Sequence, residues 1–239
     1  TCALPIYSFR TGIGHFLVPE ATNEHGLPFN ETTIPEMLDL GTGNAYDHAA
    51  IGKWHLGSPS VGGAIAPNFA GYDHFAGTLS NINSYSSWVK VTDGVLSEET
   101  VYPTTDKVDD AIAWLGGVSG PWFMYLSFNL PHVPHHEPPA RLHSIDLSGA
   151  GSPLQDPRPY YKAMVEAMDT EMGRLLSAIA TQASNTYVIF IGDNGTPGVV
   201  AAPPLTGNHG KGTLFNGGVR VPWIVRGPGV AIGGESDAL

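Results

Sequence analysis

The run Trp122-Phe123-Met124-Tyr125-Leu126-Ser127-Phe128 is almost wholly apolar and aromatic, which predicts a strand buried on both faces. Residues 187–191 predict a second buried strand, and residues 219–225 predict a last one. The longest helix is predicted between them, because apolar residues repeat there at helical spacing: Tyr161, Met164, Val165, Met168, Met172, Leu175, Leu176 and Ile179. Strands alternating with helices indicate an α/β fold, a mostly parallel sheet with helices on both faces.

The chain before these strands contains further signals. Thr33 and Glu36 form a capping-box pattern, which predicts a short helix to about Leu40. Residues 57–100 are rich in Gly, Asn and Ser, so we expect a loop there. Thr105 is expected to cap a helix, whose apolar face comprises Val108, Ile112 and Leu115.

Composition excludes several classes of protein. The 239 residues carry 11 basic and 22 acidic side chains, a net charge of -11, which is unlike a nucleic-acid binder. One cysteine cannot form an internal disulfide framework, and no apolar stretch approaches the roughly 20 residues of a membrane span. An anionic substrate would therefore have to be held by a few local cations.

Polar residues follow three predicted strands, the first of which is the short apolar run at residues 49–51. Lys53 and His55 come after that run and are two residues apart, so an extended backbone would project both to one side. His132 follows the strand that ends near Phe128, and Asp193 with Asn194 follows residue 191. In open α/β sheets, ligands bind beyond the carboxyl ends of the strands. The carboxylate and amide oxygens suit Ca²⁺, or Mg²⁺, better than zinc.

Each of these residues also has an ordinary interpretation. A single Lys53 or His55 is typical of a solvated surface, and Asp-Asn-Gly at residues 193–195 is a common turn. Lys211 lies between two glycines, so it is either a flexible loop lysine or a cation whose backbone can approach an anion. Residues 135–137 read His-His-Glu, but neighbouring prolines and the lack of a second spaced pair disfavour zinc.

The combination of motifs resembles the type I, formylglycine-dependent sulfatases of the alkaline-phosphatase-like superfamily. Six blocks carry the resemblance, in family order over most of the chain. They are Gly52-Lys53-Trp54-His55-Leu56-Gly57, Gly71-Tyr72-Asp73-His74-Phe75, Phe128-Asn129-Leu130-Pro131-His132, Met168-Asp169 with Gly173-Arg174-Leu175-Leu176, Asp193-Asn194-Gly195, and Gly210-Lys211-Gly212-Thr213 with Gly217-Gly218-Val219-Arg220-Val221-Pro222.

The resemblance implies a role for each site residue. Lys53 and His55 would bind the sulfate and steady the nucleophile, and Lys211 would be the second sulfate-binding lysine. His132 would donate a proton to the leaving group. Asp193 and Asn194 would be two ligands of a metal, usually Ca²⁺. The nucleophile of the family is a formylglycine made from the cysteine of a Cys-x-Pro-x-Arg motif.

The first residues depart from that motif. Cys2 is followed by Leu4 and Ile6 where the family has Pro and Arg, so we place the nucleophile and further metal ligands upstream of residue 1, with Cys2 as the alternative. Residues 1–7 are interpreted as a non-native leader. Residues 8–239 are then a partial sulfatase catalytic domain, truncated at both ends and expected to be inactive alone. Asn216 also replaces the glutamate usual before Gly-Gly.

The resemblance predicts that the full-length parent hydrolyses a sulfate ester of a small molecule or carbohydrate, in the periplasm or outside the cell. Two alternatives stay open. One is a phosphoesterase of the same superfamily, with a Ser or Thr nucleophile and two metals. The other is a non-catalytic homologue that binds sulfate. Neither the particular substrate nor the oligomeric state follows from the sequence.

Overall fold

The structure is a computed structural model that describes residues 26–203 and 209–235. The chain divides into two compact units, residues 1–134 and residues 135–239. The expectations for Cys2 and for the leader at residues 1–7 lie outside the described residues. In the described part of the chain, no helix is long and apolar enough to cross a membrane.

The first unit is built on a five-stranded sheet. Its strands are β1 (Asp47–Lys53), β2 (His74–Thr78), β3 (Trp88–Thr92), β4 (Val95–Glu99) and β5 (Trp122–Ser127). Their order across the sheet is β4-β3-β2-β1-β5. Strand β1 pairs in parallel with β2 and with β5, while β3 and β4 form an antiparallel edge. The predicted α/β class is confirmed, with a parallel centre and an antiparallel extension.

In residues 26–134, the sheet is accompanied by the helices α1 (Ile34–Thr42), α2 (Ala66–Phe69) and α3 (Pro103–Gly117). The capping box of α1 is confirmed, since the Thr33 amide donates to Glu36 Oε2 at 2.8 Å and Thr33 Oγ1 accepts from the Glu36 amide at 3.5 Å. The expected cap at Thr105 is wrong. Helix α3 starts at Pro103, because a proline in the first turn has no amide hydrogen to leave unpaired.

The prediction of a loop over residues 57–100 is also wrong. That segment contains α2, β2, β3 and β4. The hairpin between β3 and β4 turns at Asp93-Gly94, where both residues have positive φ, 46° and 84°. An Asp-Gly pair between short β-prone runs is a strong hairpin signal, which the glycine and serine content of the segment obscured.

The second unit contains α4 (Pro157–Ala178), β6 (Val188–Ile191), α5 (Asn216–Val219) and β7 (Trp223–Arg226). The long helix and the strand near residue 190 are confirmed. The predicted last strand, residues 219–225, is corrected: α5 occupies its first residue and β7 pairs antiparallel with β6. The predicted burial of β5 and β6 on both faces is also wrong. Tyr125 in β5 is 46% exposed, and Ile189 and Ile191 in β6 are 57% and 51% exposed.

An apolar cluster in the first unit anchors the end of β1. Trp54, the residue after the strand, is only 7% exposed and meets the Tyr72 ring edge-on at 5.9 Å between ring centroids. The buried members of the cluster are Ala50, Trp54, Ala66, Ala70, Tyr72, Phe75 and Val91. Burial of Trp54 holds the chain in place on either side of it.

A charged cluster joins β3 to α3. Lys90 Nζ lies 2.9 Å from Asp106 Oδ2 and 2.7 Å from Asp110 Oδ2. Lys107 is fully buried, with its Nζ 4.8 Å from the centre of the Trp88 ring. Burial lowers the pKa of Lys107 from 10.5 to about 7, although Asp106 and Asp110 act in the opposite direction.

We expect the stability of the first unit to rise with pH because of Lys107. Its folded pKa lies below its unfolded value, so between about pH 7 and pH 10.5 the unfolded chain binds more protons and the free energy of unfolding increases with pH. Urea unfolding at about pH 7 and about pH 9 measures this increase, which should be on the order of a few kcal/mol. Lys107→Met should abolish the increase, and an equal increase in that variant would contradict the assignment.

Candidate active site

Glycine permits the close approach of the three parallel strands. Gly52, in β1, has a φ of 110°, and a Cβ added there would overlap the carbonyl oxygen of Ser127 in β5. A Cβ on Gly77, in β2, would overlap the carbonyl oxygen of Gly52. A side chain at either position would push a neighbouring strand away. The carboxyl ends of β2, β1 and β5 are therefore held side by side.

Lys53 and His55 lie at this edge of the sheet. Strand β1 ends at half-buried Lys53, and His55 follows with a φ of 57°, in the left-handed region. The extended backbone expected through His55 is therefore wrong. The amides of Trp54 and His55 donate to the carbonyls of Thr78 and Leu79 at 2.9 and 2.8 Å, which hold the turn. Such conformations are uncommon outside glycine and cluster at functional sites.

His132 is fixed at the same edge by the loop after β5. Its amide donates to the Asn129 carbonyl at 2.9 Å, and buried Asn129 donates from Nδ2 to Thr78 Oγ1 at 3.3 Å. The Tyr85 hydroxyl donates to the carbonyls of Asn129 and His132, at 3.2 and 3.0 Å. Burial raises the pKa of Tyr85, so its phenol remains a donor. Imidazole Nδ1 of His132 lies 3.0 Å from the Val133 carbonyl.

Asp193 and Asn194 follow β6 in the second unit, as the sequence predicts. Asp193 is exposed, and its Oδ1 accepts from the Asn194 amide at 2.8 Å. Asn194 Nδ2 lies 3.3 Å from the Gly195 carbonyl, so its amide group is oriented with Nδ2 as the donor. The next amide, of Gly195, donates to Gly218 at 2.9 Å. The turn is thus hydrogen-bonded to α5.

Lys211 is held beside this turn by main-chain contacts. Its amide donates to the Thr196 carbonyl at 2.9 Å, and its side chain is exposed. A Cβ on Gly210 would press on the same carbonyl, at 2.5 Å, and one on Gly218 would overlap the Thr213 carbonyl. The absence of a side chain at these two glycines therefore allows the loop of Lys211 to pack against residues 195–198.

The donor atoms around Asp193 fit part of a site for a hard cation. The Asp193 carboxylate and the Asn194 amide oxygen are ligands typical of Ca²⁺ or Mg²⁺. Over residues 26–203 and 209–235, however, no three His, Cys, Asp or Glu side chains converge as a metal-binding group. Further oxygen ligands are needed to complete a shell of six to eight.

The structure thus assembles the predicted residues within each unit. Lys53, His55 and His132 share one edge of the five-stranded sheet, and Asp193, Asn194 and Lys211 share the loops around Gly195. The expectation that all six line one cleft stays a prediction. Sequence reasoning missed Tyr85 and Thr78, which support His132 and Asn129, because a tyrosine or threonine in a polar loop carries no distinctive pattern.

The comparisons with known proteins agree with this fold and these motifs. The family model described as Sulfatase matches residues 1–236. N-acetylgalactosamine-6-sulfatase of Sus scrofa is 30% identical over 96% of the chain and 46% of its own length. Arylsulfatase G of Canis lupus familiaris is 26% identical over 96% of the chain and 49% of its own length.

Solved structures give the same result. The crystal structure of Ps i-CgsB in complex with k-i-k-neocarrahexaose matches with a TM-score of 0.76 and 25% identity, over 90% of this chain and 51% of that one. The fold is the α/β fold of the alkaline-phosphatase-like sulfatases. The chain belongs to the sulfatase family. It spans less than half the length of the N-acetylgalactosamine-6-sulfatase and of the arylsulfatase G that it matches.

Gly52→Ala tests the close approach of the strands. The added methyl group would overlap Ser127, and the φ of 110° disfavours any side chain, so we expect a loss of at least about 3 kcal/mol of unfolding free energy. Gly41→Ala in α1 is the control, since its Cβ would meet nothing within 4 Å, and should change stability by less than about 1 kcal/mol. Urea unfolding followed by tryptophan fluorescence gives both values. Equal midpoints for the two variants would contradict the packing.

Proposed function

We propose that this sulfatase-family protein, as a full-length parent, hydrolyses sulfate esters, and that residues 8–239 form part of its catalytic domain. The observation that carries the proposal is the placement of Lys53, His55 and His132 at the carboxyl edge of three parallel strands. Ligands bind at that edge in open α/β sheets. The family membership and the curated sulfatases that the chain resembles support the same reaction.

Lys53 and Lys211 bind the sulfate oxygens in this proposal. A sulfate monoester is an anion, and the chain as a whole carries a net charge of -11, so attraction has to come from local cations. Charge also moves toward the oxygens as the ester bond breaks, and a lysine ammonium beside them stabilises that change. His55, which the left-handed turn holds next to Lys53, orients the nucleophile.

His132 is the proton donor to the leaving group. Its Nδ1 lies 3.0 Å from a carbonyl oxygen, which can only accept, so Nδ1 carries a proton and Nε2 would be the nitrogen that donates to the leaving group. A positioned imidazolium of this kind protonates an alkoxide as the bond to sulfur breaks. The backbone that carries the ring is fixed by the Tyr85 hydroxyl, which donates to the carbonyls of Asn129 and His132, and by the His132 amide, which donates to the Asn129 carbonyl.

A metal ion and a nucleophile complete the proposed reaction. Asp193 and Asn194 would hold Ca²⁺, or Mg²⁺, which would supply positive charge that stabilises the sulfate. A formylglycine in the parent would supply the nucleophilic hydroxyl. The residues of this chain then bind and orient the ester and donate a proton to the leaving group.

The substrate is proposed to be a sulfated small molecule or, more specifically, a sulfated carbohydrate. The crystal structure of Ps i-CgsB contains k-i-k-neocarrahexaose, and its fold matches this chain with a TM-score of 0.76. We place the enzyme in the periplasm or outside the cell. A phosphoesterase with a Ser or Thr nucleophile is the alternative, and a Cys-x-Pro-x-Arg motif upstream in the parent gene would exclude it.

The role of His132 can be tested in the full-length parent with two substrates. The leaving group of an alkyl or sugar sulfate is a strong base that needs a proton, whereas 4-nitrophenolate needs almost none. His132→Ala should therefore slow an alkyl or sugar sulfate by about 10² to 10⁴ and slow 4-nitrophenyl sulfate much less. The measurement is kcat/KM for each substrate.

His55→Ala is the matched comparison. The orientation of the nucleophile does not depend on how basic the leaving group is. His55→Ala should therefore slow the hydrolysis of both substrates by the same factor. An equal loss on both substrates in His132→Ala would show that His132 binds the sulfate instead. A wild-type parent that does not hydrolyse 4-nitrophenyl sulfate would refute the proposed function itself.

A further inference from the structure

The β2–β3 loop, residues 79–87, is hydrogen-bonded to the chain at both of the histidines proposed for the reaction. The carbonyl of its first residue accepts from the His55 amide at 2.8 Å. Near its other end, the Tyr85 hydroxyl donates to the carbonyls of Asn129 and His132, at 3.2 and 3.0 Å. One loop therefore connects the turn that bears His55 with the turn that bears His132.

Buried side chains and an internal turn hold this loop in shape. Ile82 and Tyr85 are both buried, and the Tyr85 ring packs against the Tyr102 ring at 6.0 Å between ring centroids. Ser84 Oγ accepts from the amides two and three residues further on, at 3.1 and 3.2 Å, which closes a turn. The distance that the loop spans between the two histidines is therefore fixed by packing and by hydrogen bonds.

The Tyr85 hydroxyl restrains both ends of the turn from Asn129 to His132. The amide of His132 closes that turn by donating to the Asn129 carbonyl at 2.9 Å. The phenol donates to the carbonyls of the first and the last residue of the turn, and burial raises its pKa, so it stays protonated. A donor shared between the two carbonyls limits rotation of the turn, and the imidazole of His132 moves with the turn.

The relative position of the two histidines matters for the proposed reaction. As in phosphoryl transfer, the attacking oxygen and the leaving oxygen lie roughly in line through the central atom. His55 would orient the attacking group and His132 would protonate the leaving oxygen, so they act at opposite ends of that line. A misplacement of about 1 Å costs up to about 10²-fold in rate. Whatever fixes the two turns relative to each other therefore affects kcat.

We propose that Tyr85 is a positioning residue for proton transfer, which holds the imidazole of His132 at a fixed place relative to His55 through the β2–β3 loop. Because Tyr85 is buried, it acts through the His132 turn and not on the ester itself. The inference rests on the proposed function for the reaction that is affected. The restraint on the turn rests on the hydrogen bonds alone.

Tyr85→Phe in the full-length parent removes the hydroxyl and keeps the ring that packs against Tyr102. The imidazole is then misplaced for the leaving oxygen, so kcat for an alkyl or sugar sulfate should fall about 10- to 100-fold while KM changes by less than about twofold. Hydrolysis of 4-nitrophenyl sulfate, whose leaving group needs almost no proton, should change by less than about twofold. Tyr102→Phe is the matched control, and both esters should react as in the wild type.

The same substitution in a His132→Ala background separates positioning from general support of the fold. Without an imidazole to position, adding Tyr85→Phe should lower kcat for the alkyl or sugar sulfate by less than about twofold further. A full further loss in this background would overturn the proposal. So would an equal loss on both esters, or no loss on either, in the single Tyr85→Phe variant, since a weakened fold slows both reactions alike.

Replacement of Tyr85 by 4-aminophenylalanine keeps a donor, although a weaker one, at the same place. This variant should lose about three- to fivefold in kcat on the alkyl or sugar sulfate only. A melting curve shows whether Tyr85→Phe folds, and if it does not, this variant decides. A loss confined to the alkyl or sugar ester supports the proposal, and an equal loss or no loss overturns it.

Amide hydrogen exchange of the 239-residue chain measures the restraint independently of activity. In Tyr85→Phe, the His132 amide should exchange at least about tenfold faster, while the Trp54 amide, which donates to Thr78, should change by less than about twofold. Unchanged exchange at His132 would overturn the proposal. A parent that does not hydrolyse 4-nitrophenyl sulfate refutes the proposed function instead, and the exchange rates still show whether Tyr85 restrains the turn.

Discussion

The close packing of β1 between β2 and β5 is the constraint on which the first unit depends. Gly52 and Gly77 leave room for main-chain atoms that any side chain would displace. Because the three strands are parallel, their carboxyl ends lie along one edge, and the residues that follow them meet there. Lys53 ends β1, Thr78 ends β2, and the loop that bears His132 follows β5. The convergence of these residues at one edge is thus a consequence of glycine at two strand positions and of strand direction.

The sequence predicts the parts of this structure in which one local signal dominates. The capping box at Thr33, the long helix α4 and the strand before Asp193 follow from side-chain pattern alone, and the structure contains all three. The edge strands β3 and β4 do not follow from the sequence, because they lie in a segment whose glycine and serine content favours a loop. The left-handed turn at His55 is set by hydrogen bonds to Thr78 and Leu79, which are distant in sequence and have no local signal.

In the candidate site, too, some features can be predicted from the sequence and others depend on long-range contacts. Residue type and position after a strand single out Lys53, His132 and Asp193, since charge and metal-binding oxygens are visible in a sequence. The support of His132 by Tyr85 is not visible, because a phenol that donates to two main-chain carbonyls needs the folded loop. Residues such as Tyr85 therefore support the candidate site only through contacts that are distant in sequence.

The proposed function depends on Lys53 and Lys211 binding the oxygens of the same sulfate ester. A double-mutant cycle on Lys53 and Lys211 in the full-length parent tests it most directly, with kcat/KM for 4-nitrophenyl sulfate as the readout. Two lysines that bind the same anion are coupled, so the loss in the double variant should differ from the product of the single losses by at least about fivefold, roughly 1 kcal/mol. Losses that multiply to within about twofold would mean that the two lysines act independently, and would contradict the account.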